Sequence, residues 1–128
     1  MLNQDFKEML QCLSAKKVEY LLVDGYAMAA HGFPRATKDI DFWVAATPEN
    51  SSRVYAALVQ FGAPVVQIEE GDFSEIGNVF QIGVPPRRID ITTIADGVDF
   101  DNCSQRAIQV SWEGITIPVI SRLDLIAN

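Results

Sequence analysis

Residues 20–44 read YLLVDGYAMAAHGFPRATKDIDFWV, and the fold turns on how this stretch is parsed. Tyr20-Leu21-Leu22-Val23 is a short apolar run flanked by charge at Glu19 and Asp24, the pattern of a buried strand. Asp24-Gly25 then turns the chain into an alanine-rich helix that stops near Gly32, and Phe33-Pro34 breaks it. From Asp39 to Val44 the residues alternate. Asp39, Asp41 and Trp43 fall on one side of a strand, with Ile40, Phe42 and Val44 on the other. Residues two apart on a strand lie roughly 6.6 Å from each other and point the same way. Two carboxylates so placed can converge on ions about 3.5–4 Å apart, the spacing used in two-metal phosphoryl transfer. Taken alone, Asp-x-Asp describes the solvated side of an edge strand equally well.

Working outward, Leu2, Phe6, Met9, Leu10 and Leu13 recur at helical spacing and predict an amphipathic helix from about residue 3 to 15. Thr47-Pro48 reads as a helix start, Val54, Leu58 and Phe61 give that helix its apolar side, and Gly62 ends it. Residues 71–76 carry no decisive pattern. Residues 79–84 and 88–94 predict two strands joined across Pro85-Pro86. A hairpin follows, with strands over 108–112 and 115–120 around Glu113-Gly114, and Pro118 places the last strand at an edge or an irregular position. Ser121 caps a final short helix. The order predicts one α/β (α+β) domain over 1–128, a mixed sheet with helices packed on it.

A second strand has the same two-sided character. In Arg88-Ile89-Asp90-Ile91-Thr92 the isoleucines take the buried side, so Asp90 points away from the core with Arg88 and Thr92. If this strand lies beside 39–44, three carboxylates share one surface. Unpaired, they would raise one another's pKa values, a penalty that a hard cation such as magnesium removes. The turn at Asp24-Gly25 precedes a helix N-terminus, where free N–H groups suit a phosphate and glycine allows close approach. A plain strand-to-helix turn has the same composition.

The bulk numbers narrow the function classes. With 128 residues, 48% hydrophobic and 21% charged, the chain is suited to a single folded domain. A net charge of −7 and a pI near 4.5 argue against non-specific nucleic-acid binding and permit a metal site. No apolar run approaches the roughly 20 residues of a membrane span, and the acidic N-terminus lacks a signal peptide's basic region, so a cytoplasmic protein is expected. Cys12 and Cys103, far apart and outside any CxxC, read as reduced packing thiols. His31 suits a packing or capping role, and Trp43 a covered aromatic on the sheet or a platform for a base.

In combination, Val23-Asp24-Gly25, a gap of thirteen residues, Asp39-Ile40-Asp41 and a later strand bearing Asp90 resemble the DNA polymerase beta-like nucleotidyltransferase superfamily. The run from Ala30 to Asp41, with His31-Gly32-Phe33-Pro34-Arg35-Ala36-Thr37-Lys38, is similar to the AbiEii-type and minimal nucleotidyltransferases, many of which belong to toxin–antitoxin or abortive-infection systems. The resemblance spans about residues 18–127. It implies a transferase that moves a nucleoside monophosphate from an NTP, ATP first among them, to a protein or RNA hydroxyl. Asp39, Asp41 and Asp90 would bind two Mg2+ ions, with Asp90 also receiving the hydroxyl proton. Asp24 and Gly25 would form the nucleotide-binding turn, and Arg35 and Lys38 could touch phosphates.

Two departures qualify that expectation. Asp24 stands where the superfamily places glycine, and it brings a carboxylate to the phosphate turn. Resembling proteins also continue past a segment like Ser121-Arg122-Leu123-Asp124-Leu125-Ile126, so the acceptor side is expected from another subunit or not at all, and edge strands make a homodimer plausible. An active enzyme and a weak or inactive member of the fold, binding a toxin–antitoxin or other partner, both stay open. A sugar-nucleotide glycosyltransferase fits less well, since it would need a larger scaffold.

Overall fold

The first helix, α1 (Gln4–Ala15), starts where Asn3 accepts a hydrogen bond from the Phe6 amide at 2.9 Å, and its spaced apolar residues Phe6, Met9, Leu10 and Leu13 are fully buried. This computed structural model describes residues 3–32, 39–84, 87–94 and 98–127. The chain continues through β1 (Tyr20–Val23), α2 (Asp24–Ala30), β2 (Ile40–Val44) and α3 (Pro48–Phe61). Thr47 caps α3 by accepting from the Asn50 amide at 3.1 Å. Gly62 closes it at φ +92°, a left-handed conformation that costs glycine nothing. Single 3-10 turns follow at Val65–Gln67 and at Asp72–Ser74, the second inside the stretch 71–76 that carried no sequence pattern. Then come β3 (Val79–Ile82), β4 (Ile89–Thr92), α4 (Phe100–Arg106), β5 (Ile108–Trp112), β6 (Ile115–Val119) and α5 (Arg122–Ala127).

The six strands form one sheet in the order β3-β4-β2-β1-β6-β5. β1 pairs antiparallel with β2 and parallel with β6. β2 and β4 are parallel, and the β3–β4 and β5–β6 pairs are antiparallel. The sheet is therefore mixed and the class α+β, as the sequence predicts. Ile40, Phe42 and Val44 are fully buried, and so are Ile89 and Ile91 to within 1%. These two rows of apolar side chains fix the register in which the polar sides of β2 and β4 must lie.

A polar clamp joins the start of β1 to the end of β2. Asn50, fully buried on α3, accepts from the Glu19 amide at 2.8 Å and donates to the carbonyls of Glu19 and Ala45 at 3.0 and 2.9 Å. The side chain thus satisfies backbone groups just outside the β1–β2 ladder.

The sequence reading needs two amendments. α4 was not expected. It has only seven residues, and of these Cys103 alone is fully buried, so it lacks an apolar stripe; its signal is the Asp99 side chain capping the Asn102 amide at 3.2 Å. β6 is an interior strand, whereas Pro118 suggested an edge or an irregular position. The β1–β6 ladder begins at Val119, one residue beyond Pro118, so the missing N–H interrupts no bond to β1. Other local expectations hold among the described residues, while Leu2, Phe33-Pro34 and Pro85-Pro86 lie outside them. Glu113 and Gly114 both have positive φ, +50° and +83°, as a two-residue hairpin turn requires. Ser121 caps α5 through the Asp124 amide at 3.1 Å, and Asp124 forms a two-pronged ion pair with Arg106 of α4 at 2.8 and 2.9 Å. Cys12 and Cys103 are buried free thiols, and no described helix is long and apolar enough to cross a membrane.

Candidate active site

β2 and β4 run side by side with Asp41 directly opposite Asp90 and Ile40 opposite Ile89. Neighbouring strands lie about 4.8 Å apart, so two aspartates in register on the same side of the sheet are within hydrogen-bonding reach, and here they interact. That pairing has an electrostatic consequence. The Asp41 carboxyl is pushed up to about 7, first by burial, then by the Asp24 charge, then by its hydrogen bond to Asp90 and the charges of Asp90 and Asp39. Asp90 itself is 8% exposed. Its carboxylate receives the Arg88 guanidinium as a fork, Nε to Oδ1 at 2.9 Å and Nη2 to Oδ2 at 3.2 Å.

Asp39 stands just before β2, opposite Arg88. Its Oδ1 accepts from the Arg88 backbone amide at 3.0 Å, and its Oδ2 lies 3.6 Å from Arg88 Nη2. One arginine therefore bridges the outer two of the three acids. Its own pKa is raised by the Asp90 hydrogen bond above all. Sequence reading placed Arg88 on this face without giving it a role. The usable signal was its position two residues before Asp90, which puts both side chains on one side of the strand.

The phosphate-turn candidates separate. Asp24 is exposed and opens α2 with φ +59°, the left-handed region that favours glycine. The residue whose backbone calls for glycine is thus Asp24, and Gly25 lies within the first turn of α2. Val23 occupies the N-cap position. Arg35 and Lys38 lie outside the described residues, as does Thr37. His31 caps the end of α2, and its Nε2 donates to the Ile120 carbonyl at 2.8 Å, the structural role its position suggested. Trp43 shares the acids' side of β2 but is 4% exposed. It meets Phe100 of α4 edge to face at 5.1 Å, in the wall of a cleft of about 180 Å3 that Thr47, Thr93 and Val98 also line. Burial under α4 leaves it a packing residue.

The donor chemistry suits a hard cation only in part. Asp41 and Asp90 offer carboxylate oxygens from adjacent strands, as magnesium prefers. Among the described residues, however, no group of three or more His, Cys, Asp or Glu side chains is gathered to hold a metal ion. Arg88 engages both oxygens of Asp90 and both oxygens of Asp39.

No protein-family model matches the chain, and no curated protein matches it. Among solved structures it is similar to that of a "putative nucleotidyltransferase (TM1012)" from Thermotoga maritima. The TM-score is 0.64 at 16% identity, over 92% of this chain and 76% of that one. The fold is nucleotidyltransferase-like. At that identity the likeness concerns architecture, and the chemistry has to be argued from the residues of this chain.

Proposed function

We propose that the protein is a magnesium-dependent nucleotidyltransferase, moving a nucleoside monophosphate from an NTP, with ATP the first candidate, to a hydroxyl of a protein or RNA. One observation carries the reading: Asp41 and Asp90 lie in register on adjacent parallel strands of a nucleotidyltransferase-like sheet. In the reaction the acceptor oxygen bonds to the α-phosphorus as the bond from that phosphorus to the β-phosphate oxygen breaks. Pyrophosphate leaves, and the hydroxyl proton passes to a carboxylate, Asp90 or Asp41. A divalent cation held by Asp41 and Asp90 would offset negative charge on the triphosphate. The work of the chain is positioning, for which two rigid strands are well suited. Incubation with α-labelled ATP and magnesium tests it. Label should pass to protein or added RNA with wild type and not with Asp41→Asn; transfer that survives in Asp41→Asn would refute the assignment.

A second reading has its own support. The Arg88 bridge across Asp39 and Asp90, and the carboxylate of Asp24 at the phosphate turn, both work against nucleotide and metal. On that reading the protein is a weak or inactive member of the fold that acts by binding a partner, as a toxin–antitoxin component would. Calorimetric titration with ATP and magnesium separates the two readings, since the second expects no binding heat.

A further inference from the structure

Strand β5 ends the sheet, and among the described residues no strand lies beyond it. The direction of its backbone groups follows from the hairpin. The closing pair of a two-residue turn, here Trp112 with Ile115, exchanges hydrogen bonds, and the alternation repeats at Val110–Ile117 and Ile108–Val119. The Ile120 amide agrees with this phase, since it donates to the Leu22 carbonyl of β1 at 3.1 Å, away from β5. Gln109 and Ser111 therefore direct their backbone N–H and C=O groups outward. We infer that this edge pairs with the same edge of a second copy of the chain, antiparallel about a two-fold axis at Val110.

In that register the strand complements itself. Gln109 meets the partner's Ser111 as a hydrogen-bonded pair, twice over, which satisfies the outward groups of both strands. Val110 meets the partner's Val110, and Ile108 the partner's Trp112, at the non-bonded positions where side chains approach most closely. These three share one side of β5. Ile108 is 39% exposed, while Val110 and Trp112 are half-buried at the margin of the core, where Trp112 meets Tyr26 edge to face at 6.2 Å. Charge points the same way. Arg106 flanks the strand at one end, with half its side chain exposed, and Glu113 flanks it at the other. The antiparallel arrangement sets each basic end against an acidic one, whereas a parallel arrangement would set like against like. Residues 108–112 carry no charge or proline, and their register with β6 has no bulge, so the usual guards of an open edge are missing. The opposite edge, β3, lacks this symmetry, because about Phe80 its Ile82 would meet Asn78. β1 and β6 separate β5 from the acids of β2 and β4, so pairing leaves those acids uncovered.

Five residues of edge pairing bury less than a standard interface, so the dimer is weak and forms at micromolar concentrations and above. Sedimentation velocity over a concentration series measures it. Ser111→Pro removes an outward N–H and leaves the β5–β6 ladder intact. It should weaken association at least about tenfold. A wild-type chain still monomeric at millimolar concentration, or a Ser111→Pro variant that associates like wild type, would overturn the inference. Cross-linking tests the register, and it decides alone should Ser111→Pro not fold. In Val110→Cys the two facing Cα atoms lie about 4.5 Å apart, within the roughly 4.4–6.8 Å of a disulfide, so mild oxidation should join two chains. Ile108→Cys lies roughly 13 Å from its own copy and should stay unlinked. Cys12 and Cys103 are buried and do not compete. Failure to link through Val110→Cys, or equal linking through Ile108→Cys, would overturn the pairing.

Discussion

Replacing Asp24 by asparagine removes one carboxylate while keeping a residue that tolerates the left-handed backbone at φ +59°. The effect on stability should change sign with pH, because the partner of that carboxylate titrates. Val23 lies opposite Asp41 in the β1–β2 pair, so Asp24 is one residue from direct registration with it. Opposed Cα atoms are about 4.5–5.5 Å apart, which puts the two carboxylates roughly 6 Å from each other. At that distance two charges repel by about 3 kcal/mol at an effective dielectric constant of 20 and by about 0.7 kcal/mol in water. Asp24 is exposed, so a value near 1 kcal/mol applies. At pH 5 Asp41, whose pKa stands at about 7, is neutral, and the repulsion is absent. The variant then loses the attraction of Asp24 for the N-terminus of α2, about 0.5 kcal/mol. At pH 8 Asp41 is charged, and relief of repulsion outweighs that loss. Urea denaturation in EDTA should thus show Asp24→Asn slightly less stable than wild type at pH 5 and slightly more stable at pH 8, a swing of about 1 kcal/mol. The Asp41 carboxyl, followed by NMR, should titrate roughly 0.7 pH lower in the variant. Equal stability differences at the two pH values would refute the coupling of these groups.

Two further outcomes can be checked with the same equipment. Asp41 holds its proton more tightly folded than unfolded, so the metal-free protein should lose stability as pH rises from about 4 to about 7. The full difference corresponds to roughly 4 kcal/mol and, with partial exposure allowed for, to something on the order of 2 kcal/mol; Asp41→Asn should flatten that slope, and an unchanged slope would count against the assignment. Asn50→Ala strips the Glu19 amide of its partner, while the Glu19 and Ala45 carbonyls keep the Ala45 and Thr47 amides, and should cost about 1–3 kcal/mol by urea denaturation while leaving the Asp41–Asp90 pair in place; a loss below about 0.5 kcal/mol would mean that water replaces the clamp.

Much of the fold was legible because its strands announce themselves by alternation. Ile40, Phe42 and Val44, and later Ile89 and Ile91, mark one side of each strand, and the aspartates follow on the other by the period of two. Caps were legible for the same local reason, as at Thr47 and Ser121. Partnership was not. Nothing in a single chain states that 39–44 lies beside 88–92 and not beside another strand, so the meeting of Asp41 with Asp90 depended on topology. α4 escaped because seven residues with one fully buried side chain give no periodicity to detect. Arg88 escaped for a subtler reason. A cation two residues from an acid on a strand reads as ordinary surface alternation, and only the arrival of Asp39 from the neighbouring strand turns it into a bridge.

The strand pairing that builds the core also creates the strain at the site. Burying Ile40 against Ile89's row obliges Asp41 and Asp90 to face each other, and a one-residue slip of either strand would turn that strand's apolar row outward. Apolar burial over two strands exceeds the cost of two opposed carboxyls, so the acids are held where they would not choose to be. A fold needing only stability would place neutral side chains there. The chain instead keeps both acids, adds Asp24 beside them and spends Arg88 on the flank. Arg88 lowers the local charge through Asp39 and Asp90, and the repulsion that is left falls on Asp41, whose carboxyl is pushed up to about 7.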